Sequence, residues 1–198
     1  MARVVTPTRL NGPVNELWLV RHGKTEWSRD GRHTSTTDLP LLPEGEEVAR
    51  GLRGRLAGVD FAQVLTSPRQ RARRTAELAG FADAEVDQDL VEWAYGDYEG
   101  TTTEEVREHD PGWTIWTHRT PGGETAQLVS DRLDRVVQRV RDVDGITLAF
   151  GHGHALRALA ARWLGVDVAA GRFFELDTAT VSVLGYERET PVLRHWNS

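Results

Sequence analysis

Apolar residues fall into two spacings along this chain, and the two alternate. Leu17 to Val20 (LWLV) and Ile146 to Phe150 (ITLAF) are continuous apolar runs, the signature of strands covered on both faces. Val129, Leu133, Val136 and Val140 recur at spacings of four, three and four, with Arg132, Arg135 and Arg139 on the other side. That pattern predicts an amphipathic helix over Glu124 to Val143. Pro43 at a first helical position and Gly58 as a stop bound another helix, from 43 to about 57. Ser67 as N-cap, with Pro68 behind it, opens a helix that ends at Gly80. The first of these strands runs from Glu16 to Val20, and short strands are predicted over Gln63 to Thr66 and Ala84 to Val86. One or two helical turns follow over Thr103 to His109, then a helix in GHGHALRALAARWLG, and last strands over Thr180 to Tyr186 and Val192 to Trp196. Arg21 to Leu42 is a long polar loop, a length uncommon in compact domains unless the loop carries function.

Strand and helix alternate over most of the chain, which implies an α/β domain: a three-layer α/β/α sandwich with a mostly parallel, mixed sheet and helices on both faces. With 198 residues and no Ser/Gly/Pro-rich linker or composition break, residues 1–198 are read as one domain. Trp113 and Trp116, three apart, are read as a helical core pair packed beneath a site.

Charge and cysteine usage remove several function classes. A formal net charge of −6 argues against sequence-independent nucleic-acid binding, which needs a net basic face. The chain has no cysteine, which excludes disulfides, thiolate metal sites and cysteine nucleophiles and fits a reducing cytosol. The first fifteen residues lack the apolar core of a signal peptide, and no run approaches the roughly 20 apolar residues that span a bilayer, so a soluble cytoplasmic protein is expected. Lys24 is the single lysine among 24 basic residues, so arginine count by itself proves nothing.

The two long apolar runs end in the same way. LWLV stops at Arg21-His22-Gly23, and ITLAF stops at Gly151-His152-Gly153. A strand that only needed to end would more often stop at Asn, Asp, Gly or Pro. In parallel sheets ligands bind beyond the carboxyl ends of strands near a topological switch point, where these two histidines could meet. The helix after QVLTS brings Arg69 and Arg71 to the same edge, and a helix N-terminus favours anions. Glu92, in the irregular DLVEWAYGDYEGTTT, is a nearby acid. Arginine forks match phosphate oxygens and imidazole is a competent nucleophile, so the set describes phosphoryl transfer without a metal.

Four ordered motifs, LVRHGKTEW, TSPRQRARRTAEL, EWAYGDYEG and FGHGHALR, resemble those of the histidine phosphatase superfamily, also called the phosphoglycerate mutase-like family. The resemblance spans residues 19 to 157 and implies that His22 is phosphorylated in turnover, that Arg21 and Arg71 bind the transferring group, and that His152 donates to its oxygens. It implies that Glu92 protonates the leaving oxygen and later activates water. The spelling is most similar to the small phosphatase branch with sedoheptulose-1,7-bisphosphatases and acid phosphatases. Cofactor-dependent mutases carry Glu-Arg-His-Tyr where this chain has Glu92-Trp93-Ala94-Tyr95, and the last dozen residues hold no mutase-like lid, which favours hydrolysis.

The substrate implied is a small phosphorylated metabolite, a sugar phosphate or bisphosphate, with no cofactor, no metal, no nucleic acid and no membrane. Thr25, Trp27, Ser28, Arg32, His33 and Thr34 are read as one wall of the pocket, with Gly153 beside the phosphate. His154 is read as contributing its backbone amide, and Arg157 as a clamp for a second phosphate. Arg73, Arg74, His109, His118 and His195 are read as surface residues. The alternatives are a mutase-type phosphotransferase, a protein or phosphohistidine phosphatase, a zinc site built on His22, His152 and His154, and a non-catalytic phosphate-binding module. The apolar residues of the last helix and strands are read equally as core or as a homodimer interface.

Overall fold

The two continuous apolar runs lie side by side at the centre of one sheet. In the computed structural model, which describes residues 15–198, β1 (Glu16–Arg21) pairs in parallel with β4 (Ile146–Gly151). The segment read for a missing signal peptide lies, but for Asn15, outside the described residues. On the other side of β4 come β2 (Phe61–Thr66) and then β3 (Glu85–Val86), both parallel. Beyond β1 the antiparallel hairpin β5 (Val181–Glu187) and β6 (Thr190–His195) closes the order β3-β2-β4-β1-β5-β6.

Period-two alternation sorts the strand residues onto two cores. Leu17, Leu19, Leu65 and Ala149 pack with α5 (Ala126–Arg141) and α6 (Gly153–Trp163). Val20, Leu148 and Phe150 pack on the opposite face with Leu52 and Leu56 of α2 (Pro43–Leu56) and Ala76 and Ala79 of α3 (Gln70–Ala79). Helices therefore cover both faces of a mixed, mainly parallel sheet, as the strand and helix alternation implies. Among the described residues no helix is long and apolar enough to cross a membrane.

Four local expectations are corrected. The polar loop after β1 contains a single-turn helix α1 (Glu26–Arg29), closed by a capping box between Thr25 and Ser28. Ser67 does not cap α3; the chain bends through Ser67 to Arg69, Arg69 is the cap, and the Ser67 hydroxyl goes to His152 instead. Arg132 is buried at 6 % exposure although its spacing put it on the solvent side of α5. There it forks onto Glu124 and donates to the carbonyls of Asp89 and Val91, so a buried cation replaces apolar packing. Trp113 and Trp116 are buried core residues, but in a turn segment that follows α4 (Thr103–Arg107) rather than on a helix. His109, His118, His195 and Arg73 are exposed as read, and Arg74 pairs with Glu46 and Glu77 at the surface.

Candidate active site

Strand register brings the two histidines together. Arg21 stands opposite Gly151 in the β1–β4 ladder, so the next residues, His22 and His152, leave the sheet side by side with ring centroids 5.3 Å apart. His22 N–H donates to the Gly151 carbonyl at 3.0 Å, and Ser67 N–H donates to the Phe150 carbonyl at 3.0 Å, which anchors the end of β2 to the same edge.

The turn after β1 is held by close backbone approach. A Cβ on Gly23 would stand 2.5 Å from the Gly45 carbonyl oxygen, and one on Gly45 would stand 2.3 Å from the Lys24 oxygen. Gly23 N–H also donates to Thr75 Oγ1 of α3 at 3.0 Å. Neither glycine signalled this contact in sequence, because their neighbours come from different elements.

His22 is 5 % exposed and its Nδ1–H donates to the Gly23 carbonyl at 2.7 Å, which leaves the lone pair on Nε2. Burial, then the Arg71 and Arg21 guanidiniums, lower its pKa well below the ordinary imidazole value, so the ring is neutral. Arg21 donates through Nη1 to the Leu176 carbonyl, while its Nε is buried without a partner and its guanidinium lies against Gly153.

Arg71 is fully buried and largely committed. Its Nε donates to His152 Nδ1 at 3.1 Å, Nη1 to the Thr37 carbonyl at 3.0 Å, and Nη2 to the carbonyls of Thr34 and Ser35 at 3.1 and 3.4 Å. Since arginine only donates, His152 carries its proton on Nε2 and gives it to Ser67 Oγ at 2.7 Å. Both ring nitrogens of His152 are thus hydrogen-bonded within the protein. Ser67, which orients His152, was missed because its position reads as an ordinary helix cap.

Glu92 arrives from the segment between β3 and α4 and sits on the N-terminus of α6. Its Oε2 accepts from His154 N–H at 3.0 Å, and its Oε1 from Ala155 N–H at 2.7 Å and Trp93 N–H at 2.8 Å. Burial raises its pKa, opposed by these three amide bonds and by Arg71. Glu124 and Arg132 hold the same segment from behind: Glu124 accepts from Ala94 N–H at 2.9 Å, and Arg132 donates to Val91 at 2.9 Å.

The residues read as a pocket wall do other work. The Thr25 and Ser28 hydroxyls and the Thr25 amide are engaged in the α1 capping box. Trp27 packs on Gly100, where a Cβ would come within 2.9 Å of its ring, and Arg32 donates to the Gly100 carbonyl at 2.7 Å. Thr34 Oγ1 donates to the Arg32 carbonyl at 3.0 Å, and its own carbonyl accepts from Arg71. His33 is buried and stacked on Tyr95 at 4.6 Å. The His154 amide is taken by Glu92, so it does not stand open to an anion. Arg157 lies over Trp116 at 4.9 Å and donates to the carbonyls of Gly171 and Arg172 at 3.1 and 3.3 Å; its Nη1 makes no hydrogen bond among the described residues. The loop itself is clamped by Glu99, which accepts from the amides of Ser35 and Thr37 at 2.9 Å and from the Ser35 hydroxyl. Among the described residues no three His, Asp or Glu side chains gather as metal ligands.

Two imidazoles, two guanidiniums and a buried carboxyl at the carboxyl edge of a mainly parallel sheet define an enzyme that handles anions. The chain belongs to the histidine phosphatase superfamily, branch 1, whose family model matches residues 17–198, and it is a phosphatase by that kinship. It is 42 % identical over 182 residues to an acid phosphatase of Mycobacterium tuberculosis, covering 87 % of each chain. It is 37 % identical over 183 residues to the sedoheptulose 1,7-bisphosphatase of Saccharomyces cerevisiae, covering 76 % of this chain and 68 % of that one. A solved structure of an open reading frame product of Mycobacterium tuberculosis has a TM-score of 0.87 at 39 % identity, covering 92 % of this chain and 97 % of that chain.

Proposed function

We propose that this phosphatase hydrolyses phosphomonoesters of small phosphorylated metabolites, sugar phosphates or bisphosphates, through a phosphohistidine on His22. The observation that supports it most directly is the state of that imidazole: neutral, with Nδ1–H tied to the Gly23 carbonyl and the Nε2 lone pair without a hydrogen-bond partner among the described residues. The relatives named acid phosphatase and sedoheptulose 1,7-bisphosphatase support the substrate class.

In this reading His22 Nε2 attacks phosphorus as the ester P–O bond breaks, and Glu92 gives its proton to the departing oxygen. Burial, which raises the Glu92 pKa, favours the protonated form that this step needs. Glu92 then takes a proton from water as the water oxygen attacks the phosphohistidine, the P–N bond breaks, and inorganic phosphate leaves. Arg21, whose guanidinium lies against Gly153, sets its charge beside the phosphoryl group. Arg71 supplies charge at close range and holds His152, whose Nε2–H turns from Ser67 to the phosphoryl group when one is bound. Nη1 of Arg157 takes the second phosphate of a bisphosphate.

The test is turnover of a labelled sugar phosphate in EDTA followed by an alkaline quench. Wild type should carry an acid-labile, base-stable phosphoryl label, and His22→Ala should carry none. Hydrolysis without any such label, or a label retained in His22→Ala, would overturn the phosphohistidine route.

A further inference from the structure

Three arginines on one side of α5 reach the segment that leads to Glu92. Arg139 pairs with Glu85 and with Asp87, Arg135 forks onto Asp89 at 2.6 and 2.9 Å, and Arg132 donates through Nη1 to the carbonyls of Asp89 and Val91 at 2.7 and 2.9 Å. The first two make surface pairs, the Arg135 side chain being 63 % exposed, and pairs of that kind contribute little. Of the three only Arg132 is buried.

Arg132 Nε and Nη2 meet Glu124 Oε1 and Oε2 at 2.8 and 3.0 Å, and the same Oε2 accepts from Ala94 N–H at 2.9 Å. The Glu124 backbone adds two more bonds: its carbonyl accepts from the Trp93 indole N–H at 3.0 Å, and its N–H donates to the Ala94 carbonyl at 3.0 Å. Val91, Trp93 and Ala94 are therefore held from behind on both sides of Glu92, whose carboxyl lands on the amides of His154 and Ala155. A buried ion pair is weak evidence for stability, since apolar residues of similar volume often serve as well. Apolar packing could not bind the carbonyls of Asp89 and Val91 or the amide of Ala94, and this pair binds all three.

Resting on the reading of Glu92 as the acid, we infer that Arg132 and Glu124 are positioning residues for its proton transfer. The pair fixes the backbone on both sides of Glu92 and so sets where its carboxyl stands relative to the leaving oxygen.

The experiment measures kcat/KM for an alkyl sugar phosphate and an aryl phosphate in wild type, Glu92→Gln, Arg132→Met, Arg135→Met and the double variant Arg132→Met with Glu124→Gln. The aryl group leaves without a proton, so the alkyl ester alone reads the aim of Glu92. In both Arg132 variants the alkyl-to-aryl ratio should fall about tenfold or more, with aryl turnover within about threefold of wild type. Arg135→Met should keep the wild-type ratio. Arg132→Met leaves the Glu124 charge unpaired, and the double variant removes that charge, so the measurement survives if the single variant unfolds. Added to Glu92→Gln, Arg132→Met should lower the ratio no further, because the group it aims is gone. Equal losses on both esters, a further fall in that background, or a double variant that does not fold would overturn the positioning role. A ratio that falls in Glu92→Gln and not in the Arg132 variants would overturn positioning alone; a ratio unmoved in Glu92→Gln would overturn the acid reading and this inference with it.

Discussion

The Nε of Arg71 donates to Nδ1 of His152 at 3.1 Å, and this one bond determines which nitrogen of a buried imidazole carries the proton. The rest of the guanidinium holds the carbonyls of Thr34, Ser35 and Thr37, so Arg71 ties the loop after β1 to the carboxyl edge of the sheet. Arg71→Ala should therefore lower kcat/KM by about a hundredfold or more and cost about 3 kcal/mol of stability, since several bonds to one charged group disappear together. Arg71→Lys should recover little of either, because an ammonium cannot reproduce the fork. Steady-state kinetics beside urea denaturation checks both, and a Lys variant close to wild type would contradict this role.

Glu92→Gln should separate substrates by leaving group. An aryl phosphate departs without a proton and should lose less than about tenfold, whereas an alkyl sugar phosphate should lose about a hundredfold to a thousandfold. Similar losses on both would deny Glu92 the role of acid.

The pH dependence of turnover has a defined sign. The proposed attack needs a neutral His22, whose pKa lies well below the ordinary imidazole value, so the acid limb of kcat/KM should lie below that value. The proposed proton donation needs a protonated Glu92, whose pKa is raised above the ordinary carboxylate value, so activity should fall as pH climbs through that raised value. Glu92→Gln should flatten the alkaline limb, which a pH–rate series on an alkyl sugar phosphate, whose leaving oxygen needs that proton, reads directly.

Stability should fall on acidification. His22, His33, His152 and His154 all have pKa values lowered first by burial, so the folded chain binds fewer protons than the unfolded one. Their contribution is complete above the ordinary imidazole value near 6.5 and is lost as pH falls through the lowered values. The urea midpoint should drop between pH 7.5 and about 5.5, and it should drop less in His33→Phe, which keeps the stack on Tyr95 without a titrating ring. A midpoint that rises on acidification would contradict this.

Gly45→Ala should disrupt the turn that presents His22. Its Cβ would lie 2.3 Å from the Lys24 carbonyl oxygen, which is backbone and cannot swing aside. A loss of about 3 kcal/mol, with kcat falling further than KM changes, is expected from overpacking at this point. Gly51, a glycine of the same helix with open space around its Cβ direction, is the control: Gly51→Ala should be neutral or slightly stabilising in thermal melts.

Arg157→Ala should damage bisphosphate turnover selectively, because the Nη1 of Arg157 is the arm left without a partner among the described residues. Parallel kcat/KM values for a bisphosphate and its monophosphate check this, and an equal loss on both would make Arg157 only a support for the turn at Gly171.

Much of this arrangement is legible in the amino-acid order. The apolar runs before Arg21-His22 and Gly151-His152 place both histidines at strand ends, and continuous apolar strands must be covered on both faces, so a sandwich follows from hydrophobicity alone. Caps and glycines mark most helix ends, as at Gly80, which adopts φ of 103° after α3. The misplaced α3 cap and the missed α1 turn share a cause: serine and threonine hydroxyls serve a local cap or a distant partner equally well, and spacing cannot tell which.

Sequence by itself determined the layers, the strand ends and the set of groups that could meet there, because burial and backbone geometry are short-range and periodic. Tertiary structure decided which groups are free. It fixed the His22 and His152 tautomers, turned the polar atoms of Thr25, Ser28 and the His154 amide inward, and brought Arg132 and Glu124 under the Glu92 segment. Hydrogen bonds between residues tens of positions apart depend on register and packing that no local pattern records, and each donor satisfied in that way is withdrawn from the substrate.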